Sequence, residues 1–363
     1  MEDRAQDFDL KHLLKDLVQI ESPSGDTEGI QHVMQRLAQD LPQDVQVQWH
    51  STPRGPILEA QRGSGGALLL GHADTVWERG TLRTMPWRDD QERIYGPGVL
   101  DMKAGLALAV AVIRQTDVPI RFLVTPDEEI GSQASRAYLE SRARDAVVVL
   151  VLEAGMPDGA VKIARSGVGD FQLSIEGIES HAGLDPDRGV SAIRELAQQI
   201  LWLSSLENRL LGTTINVGVV EGGTRTNVVP GKARAYIDVR VQTSREMNRI
   251  MDTLTAPPRF DPKISVQYQG HFNRPPMEPN HRMMRWFEYA AKMWEEKTST
   301  PLRGARVGGA SDGNYTAPIA PTLDGVGAVG HGAHARHEYV EWSTMEPRLH
   351  LLKTLVARAA EAV

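Results

Sequence analysis

With 363 residues, the chain exceeds the roughly 250 to 300 residues at which a single hydrophobic core stops growing, so two domains are expected. Its 41% hydrophobic and 24% charged residues are typical of a folded globular protein, and its net charge of −7 excludes the basic surface that nucleic acid or anionic lipid would need. The absence of cysteine excludes disulfides and thiolate ligands, so any metal site must use His, Asp and Glu.

The first residues, MEDRAQDFDLKHLLKDL, are charged throughout and contain neither an apolar signal region nor a cleavage site. No apolar run approaches the roughly 20 residues that span a bilayer. These features predict a cytoplasmic protein with a small-molecule partner, and neither nucleic acid nor a membrane is an expected partner.

Short apolar runs without polar alternation occupy residues 67–71, 120–125 and 146–152, and they predict strands that are buried on both faces. Residues 102–114 are apolar nearly all round and predict a buried crossover helix. This alternation is typical of an α/β fold, with a mostly parallel sheet flanked by helices. Open sheets of this kind place their sites at the carboxyl ends of the strands. The polar residues that follow the three runs are His72, Asp74, Asp127, Glu128, Glu129 and Glu153.

The pattern changes near residue 165. The following segments predict a strand at 171–175, a helix at 190–206, strands at 214–220 and 233–241, a helix at 245–254 and a strand at 264–268. That order is the ferredoxin-like α+β arrangement. Residues 166–276 are therefore predicted to form a domain inserted into a first domain made of residues 1–165 and 277–363. Helices are predicted again at 281–297 and from about residue 344.

Zinc held without sulfur needs imidazole nitrogen and carboxylate oxygen, usually from three protein ligands. In GHADT, His72 and Asp74 are two residues apart and can face the same side of an extended strand end, where the carboxylate would orient the imidazole. The alternative is an ordinary surface pair. In GPGVLDMKAG, Asp101 is either a metal ligand or the N-cap of the following helix.

The three carboxylates of TPDEEIGS either bind a cation or lie in a solvated loop, since adjacent like charges repel. Glu153 closes the apolar run AVVVLVLEAG, where a buried carboxylate needs a partner that a metal would supply. Near the C-terminus, VGHGAHARHEYV contains His331, His334 and His337 close to Glu338. These histidines are either ligands or part of a loop rich in hydrogen-bonding groups.

Taken together, these segments resemble the dinuclear zinc family that contains carboxypeptidase G (glutamate carboxypeptidase), succinyl-diaminopimelate desuccinylase, acetylornithine deacetylase and the aminoacylases. The resemblance covers almost the whole chain, and the order and spacing of its motifs are specific. The matching segments are GHADT, GPGVLDMKAG, TPDEEIGS, LEAG, SHAG, TNVVPGKARAYIDVR, GGASDGNY and AHARHE.

The resemblance implies two Zn²⁺ per subunit, with Co²⁺ or Mn²⁺ as possible replacements. It makes His72, Asp101 and Glu153 the ligands of one ion, and Asp101, Glu129 and His334 the ligands of the other. His334 is chosen because it lies four residues before Glu338, the spacing that the family shows. The resemblance also implies a cis peptide bond between Asp101 and Met102.

The resemblance further implies that Glu128 is the general base, and Asp74, which would orient His72, is also assigned to the catalytic residues. His181 of the SHAG motif would stabilise the oxyanion from the partner subunit of a homodimer formed by the inserted lid domain. Arg240 and Asn227 would bind the terminal carboxylate of the substrate. Without the resemblance, His181 is a solvated or core histidine, and Arg240 forms an ion pair with Asp238 or another neighbour.

The implied activity is hydrolysis of an amide bond next to a free carboxylate, most simply by a glutamate-carboxypeptidase-like exopeptidase acting on a small peptide or an N-acyl amino acid. An amino-acid deacylase would use the same chemistry, and a catalytically inert dimeric binding module is the alternative of another class. Two residues depart from the family pattern. His331 stands where many relatives have glycine, and Glu153 stands where some carboxypeptidases have Asp.

Overall fold

The computed structural model describes residues 8–362, which divide into two compact units. Unit 1 comprises the described residues up to Ala164, together with Pro279–Val307 and the residues from Ser311 onward. Unit 2 comprises Arg165–Glu278 and Gly308–Ala310. Within residues 8–362, no helix combines the length and the apolar character that crossing a bilayer requires.

The α-helices of these residues are α1 (Leu10–Gln19), α2 (Thr27–Gln39), α3 (Ala104–Gln115), α4 (Arg136–Arg144), α5 (Ala192–Ser205), α6 (Ser244–Thr255), α7 (His281–Thr298), α8 (Gly313–Thr316) and α9 (Met345–Ala360). The strands are β1 (Gln46–Thr52), β2 (Gly55–Arg62), β3 (Ala67–His72), β4 (Arg88–Asp89), β5 (Arg93–Tyr95), β6 (Ile120–Thr125), β7 (Val148–Val151), β8 (Val161–Arg165), β9 (Gly167–Glu176), β10 (Ser180–His181), β11 (Thr214–Gly222), β12 (Val228–Val229), β13 (Lys232–Val241), β14 (Ser265–Arg274), β15 (Gly304–Val307), β16 (Thr322–Leu323), β17 (Gly330–His331) and β18 (Tyr339–Glu341).

Unit 1 is built around a six-stranded sheet with the strand order β1-β2-β6-β3-β7-β16. β6, β3, β7 and β16 are parallel, whereas β2 pairs antiparallel with β6, and β1 pairs antiparallel with β2. Every residue of β3 and β7 is buried, as expected of strands covered on both faces. Because β6, β3 and β7 are parallel neighbours, their carboxyl ends lie side by side at one edge of the sheet.

α3 is a buried helix, as its all-round apolar sequence predicts: its residues from Ala104 to Ile113 are all buried. It packs very close to the segment that follows β7, because a Cβ placed on Gly105 would lie 2.2 Å from the backbone oxygen of Leu152. The helix begins at Ala104 rather than at Met102. Residues 99–103 instead form an irregular turn.

Unit 2 contains an antiparallel sheet with the strand order β11-β13-β9-β14. β13 alternates between buried and less buried residues, and its buried residues pack with the apolar residues of α5 and α6 on one face of the sheet. The chain order and the strand order are those of the ferredoxin-like fold. β11 is an edge strand of this sheet.

The predicted fold class is confirmed. The predicted strand at 120–125 coincides with β6, and the predicted helix at 281–297 differs from α7 by its last residue. β14 continues to Arg274 instead of ending at Tyr268, because its second half pairs with the first residues of β9. That pairing depends on another segment of the chain, so the composition of β14 alone does not reveal its length.

Candidate metal centre

Two groups of ligand-type side chains lie in unit 1, and they share one residue. The first group contains His72, Asp101 and Glu153, and the second contains Asp101, Glu129 and His334. Within each group, the potential ligand atoms all lie within 4.8 Å of one another. The structure thus brings together the same side chains that the sequence resemblance identifies as metal ligands.

Neighbouring strands deliver three of these side chains. His72 is the last residue of β3, Glu129 lies in the short turn after β6, and Glu153 follows the end of β7 by two residues. Because the three strands are parallel neighbours, the polar residues that end them converge at one edge of the sheet.

Asp101 lies in the irregular turn before α3. Its backbone angles are φ −83° and ψ 78°, and those of Met102 are φ 99° and ψ −36°. No cis peptide bond occurs in residues 8–362, so the cis bond expected between Asp101 and Met102 is wrong: the chain reverses there through the positive φ of Met102. The N-cap interpretation of Asp101 is also wrong, because Lys103 precedes the first residue of α3.

His334 lies in the loop between β17 and β18, with a positive φ of 63°. Its Nε2 is 2.7 Å from Asp101 Oδ2 and 3.4 Å from Glu129 Oε2. His331 and His337 are exposed and lie outside both ligand groups found among residues 8–362. The ring of His331 instead neighbours that of Tyr339, with 6.0 Å between the ring centroids.

His72 is buried, and its Nδ1 lies 2.8 Å from the backbone oxygen of Asp74. Because a carbonyl oxygen can only accept a hydrogen bond, Nδ1 carries a proton, so the lone pair of a neutral ring would lie on Nε2. This Nε2 has no hydrogen-bond partner among the described residues. It lies 3.7 Å from Asp101 Oδ1 and 3.5 Å from Glu153 Oε1, beyond hydrogen-bond distance.

These separations fit a cation between the side chains. Two ligands bound at about 2.1 Å to one tetrahedral zinc ion are about 3.4 Å apart. The nitrogen–oxygen distances of His72 in the first group, and of His334 to Glu129 in the second, are close to that value. Glu129 Oε1 is likewise buried without a hydrogen-bond partner among residues 8–362. The 2.7 Å contact of His334 with Asp101 is instead a hydrogen bond.

The local electrostatics also favour a cation. Hydrogen bonds to Asp101 and Glu129 raise the pKa of His334 to about 11. Burial raises the pKa of Glu129. Burial is the largest single influence on Asp101 and opposes its ionisation, yet the hydrogen bond with His334 and the nearby imidazole of His72 together lower its pKa. The proton on His334 thus balances carboxylate charge, and a bound metal ion would replace that proton.

The acidic turn at residues 127–129 is not the solvated loop that the sequence left possible. Asp127 is fully buried and accepts hydrogen bonds from Ser135 Oγ at 2.6 Å and from Ala134 N at 2.7 Å. Glu128 is 8% exposed, and the Glu129 side chain is 7% exposed. The three adjacent carboxylates therefore occupy different buried environments.

Asp74 is also buried, so the surface-pair interpretation of His72 and Asp74 is wrong. Its carboxylate accepts hydrogen bonds from the backbone N–H groups of Glu128, at 3.1 Å, and Glu129, at 3.2 Å. Asp74 Oδ1 is 3.4 Å from His72 Nδ1, farther than the 2.8 Å to the backbone oxygen. The carboxylate of Asp74 therefore mainly holds the turn that carries Glu128 and Glu129, and its carbonyl orients the imidazole.

In unit 2, His181 and Asn227 lie on adjoining segments. β10, which contains His181, pairs with β12, and Ala182 N donates to the backbone oxygen of Asn227 at 3.0 Å. The Nδ1 of the exposed His181 accepts hydrogen bonds from Gly183 N and Leu184 N. A neutral His181 ring therefore carries its proton on Nε2, which makes that atom a hydrogen-bond donor.

Arg240 forms a two-point ion pair with Asp238 on the same strand. Arg240 Nε is 2.8 Å from Asp238 Oδ1, and Arg240 Nη2 is 2.8 Å from Asp238 Oδ2. Both side chains are about one-third exposed. The ion-pair alternative that the sequence left open is therefore present, and any substrate carboxylate must compete with Asp238 for this guanidinium.

Glu338 has a structural role that the sequence analysis did not identify. It is fully buried and accepts four hydrogen bonds, from the indole of Trp77 and from the backbone N–H groups of Gly98, Leu100 and Asp101. In the sequence, Glu338 served only to identify His334 by its spacing. Nothing in the sequence around Glu338 indicated these hydrogen-bond donors.

The chain is similar to known metallopeptidases. Residues 68–358 match the family described as Peptidase family M20/M25/M40. The chain is 28% identical to carboxypeptidase G2 from Pseudomonas sp. (strain RS-16) over 362 residues, which cover 94% of this chain and 87% of that protein. Its fold is similar to that of aminopeptidase PepT from Bacillus cereus ATCC 10987, with a TM-score of 0.80, 23% identity, and 97% and 98% of the two chains covered. It is also similar to Bacillus subtilis YXEP, a dinuclear metal-binding peptidase of the M20 family, with a TM-score of 0.67, 14% identity and 98% of each chain covered.

Proposed function

The chain belongs to Peptidase family M20/M25/M40, and we propose that it is a two-zinc exopeptidase of the glutamate carboxypeptidase type, which cleaves an amide bond next to a free amino-acid carboxylate. Family membership makes it a metal-dependent peptidase or amidohydrolase. The carboxypeptidase assignment is supported by the similarity to carboxypeptidase G2 over nearly the whole chain.

The observation that carries the proposal is the sharing of Asp101 by two complete groups of ligand-type side chains. His72, Asp101 and Glu153 would hold one ion, and Asp101, Glu129 and His334 the other. Imidazole and carboxylate ligands suit zinc, and Co²⁺ or Mn²⁺ could occupy the same donor set.

Metal ions held by these residues would supply Lewis acidity and would lower the pKa of a bound water molecule. Glu128 would serve as the general base that accepts a proton from the attacking water and returns it to the leaving amine. The hydrogen bonds from Glu128 N and Glu129 N to the carboxylate of Asp74 fix the base beside the adjacent ligand.

His181 would stabilise the oxyanion through its Nε2–H, since its Nδ1 is occupied by two backbone donors. Arg240 and Asn227 would bind the carboxylate of the substrate. For Arg240, this requires that the substrate displaces Asp238 from part of the guanidinium, which can form two parallel hydrogen bonds to a carboxylate.

A homodimer formed by residues 166–276 would bring His181 to the metal ligands of a partner subunit. β11 is an edge strand, and edge strands left open promote association with another chain. Exposed apolar side chains lie on and near α5 and β11, where a two-fold contact would bury them. They are Ile193, Leu201, Leu210, Leu211, Val219 and Val220.

Removal of the His334 imidazole is expected to halve the metal content. His334→Ala takes a ligand from the second group alone, so the protein should retain about one ion per chain, whereas wild type holds two. His337→Ala, three residues away on the same exposed loop, is the matched control and should retain two. Elemental analysis after dialysis measures both. The reverse pattern would make His337, and not His334, the metal ligand of this loop.

The substrate class can be tested directly by release of free amino acid. We expect the zinc-loaded enzyme to hydrolyse folyl-glutamate or dipeptides faster than acetylornithine and other N-acyl amino acids, because the sequence relative is a carboxypeptidase. The opposite order of kcat/KM would make the protein a deacylase with the same metal chemistry. No hydrolysis of any of them would contradict cleavage beside a free carboxylate.

A further inference from the structure

We propose that Glu338 is a positioning residue that fixes Asp101 relative to His334 and thereby sets the affinity of both ligand groups for metal. This inference rests on the two-metal function proposed above. It concerns a side chain that belongs to neither ligand group.

The carboxylate of Glu338 is saturated by hydrogen bonds. Oε1 accepts from the backbone N–H groups of Leu100 at 2.8 Å and Asp101 at 2.9 Å. Oε2 accepts from Gly98 N at 2.9 Å and from the indole Nε1 of Trp77 at 3.0 Å. Each oxygen therefore receives two donors, and the side chain has no exposed surface.

Three of these donors belong to the turn that carries Asp101. Asp101 and Met102 have non-helical backbone angles in this turn, and Gly98 and Met102 both have positive φ values, of 70° and 99°. A non-glycine residue at such an angle persists where its surroundings enforce it. Glu338 supplies that enforcement, because one carboxylate binds three backbone N–H groups of the turn.

Glu338 also closes the loop that carries His334. Two successive backbone hydrogen bonds, Ala335 N to Gly332 O at 2.8 Å and Glu338 N to Ala335 O at 2.9 Å, make this loop compact. β18 begins at the next residue, Tyr339, and is anchored by pairing with β5. One side chain thus connects the loop of a ligand histidine to the turn of the shared carboxylate.

Only a carboxylate can satisfy this arrangement. Its two oxygens accept four N–H donors, whereas the amide of Gln would direct an NH₂ group at two of them. Glu338→Gln therefore leaves two buried donors without acceptors and allows the turn to move. Outer partners of metal ligands commonly contribute about 10- to 100-fold to metal affinity. We expect Glu338→Gln to lose this factor at both ions, because Asp101 serves both groups.

The test is competition between the protein and a zinc chelator, together with the visible absorption spectrum of the Co²⁺-loaded protein. Glu338→Gln should bind both ions more weakly and show an altered Co²⁺ spectrum. Trp77→Phe removes one of the four donors and keeps the rest, so it should show a smaller loss in the same direction. These measurements do not depend on catalytic activity.

Glu59→Gln is the matched control. Glu59 is another buried carboxylate of unit 1; it accepts hydrogen bonds from Arg142 Nε at 3.1 Å and from the hydroxyl of Tyr138, and it belongs to neither ligand group. Its substitution should lower the unfolding temperature of the metal-free protein without changing metal affinity. If Glu338 had only a structural role, Glu338→Gln would likewise lower the unfolding temperature without changing metal affinity.

The outcomes separate this inference from the proposed function. Wild type that fails to bind two ions would overturn the proposed function itself. Wild type that binds two ions, while Glu338→Gln and Trp77→Phe bind both with unchanged affinity, would overturn the positioning by Glu338. A loss of affinity for only one of the two ions in Glu338→Gln would also overturn it. If Glu338→Gln does not fold, the affinity of Trp77→Phe decides.

Discussion

Glu128→Gln is expected to lower kcat by about 10²- to 10⁴-fold while the protein retains two metal ions, because the amide preserves the size of the side chain but cannot accept the proton from water. Glu128 lies beside Glu129 in the turn after β6, and both backbone N–H groups bind the carboxylate of Asp74. These bonds involve the backbone, so the substitution leaves them in place.

The neighbouring substitution Glu129→Gln provides the control for this prediction. It makes the same chemical change one residue later, in a side chain whose Oε2 is 3.4 Å from His334 Nε2, and it should lower the metal content. Steady-state kinetics and elemental analysis of the two variants therefore separate a base from a ligand. Loss of both ions in Glu128→Gln, or activity close to that of wild type, would contradict the assignment of Glu128.

Coexpression of His181→Ala and Glu128→Gln chains is expected to restore activity that neither variant has alone. In a mixed dimer, one site contains the intact Glu128 of one chain and the intact His181 of its partner. If the two sites act independently, that site should give up to about half the activity of a wild-type dimer. The physical reason is that the two residues lie in different units of the chain, and the proposed dimer joins them across subunits.

Mixed dimers can be isolated by placing a different affinity tag on each chain, and their kcat compared with that of each homodimer. A mixture of Glu128→Gln with Glu129→Gln chains is the negative control. Both residues belong to the same site of their own chain, so neither site of the mixed dimer is complete. No recovery in demonstrated mixed dimers would place His181 within its own site or outside catalysis. A fully active monomer would also exclude action across subunits and would leave another group, such as His331, to stabilise the oxyanion.

The central sheet, and the edge at which its polar residues converge, could be predicted because they depend on local patterns, whereas the ligand roles of those residues came from the family resemblance. Three apolar runs predicted buried strands, and the polar residues after them, including His72, Glu129 and Glu153, meet at one edge of the sheet. The positions of Asp101 and His334 could not be predicted in this way, because neither residue follows a predicted strand of the sheet. Their assignment came from the resemblance, and the structure brings both side chains to the same edge.

Contacts between distant loops could not be predicted. The sequence suggested that the carboxylate of Asp74 orients His72, but that carboxylate binds the backbone of residues 128 and 129, which any residue type can offer. The partners of Glu338 could not be predicted for the same reason, because three of its four donors are backbone N–H groups. The ion pair of Arg240 and Asp238 stayed one of two alternatives, since two residues on one face of a strand can pair with each other or with a ligand.

The order of the ligands along the chain has a consequence for protein synthesis. His72, Asp101, Glu129 and Glu153 are translated before the whole of Arg165–Glu278, whereas His334 and Glu338 are translated after it. The turn of Asp101 can donate its hydrogen bonds to Glu338 only after Glu338 has been synthesised and has left the ribosome. A nascent chain that stops before residue 334 has four of the five proposed ligands, and its Asp101 lacks the hydrogen bonds from the turn to Glu338. Truncated translation products should therefore be poor metal scavengers and inactive as hydrolases.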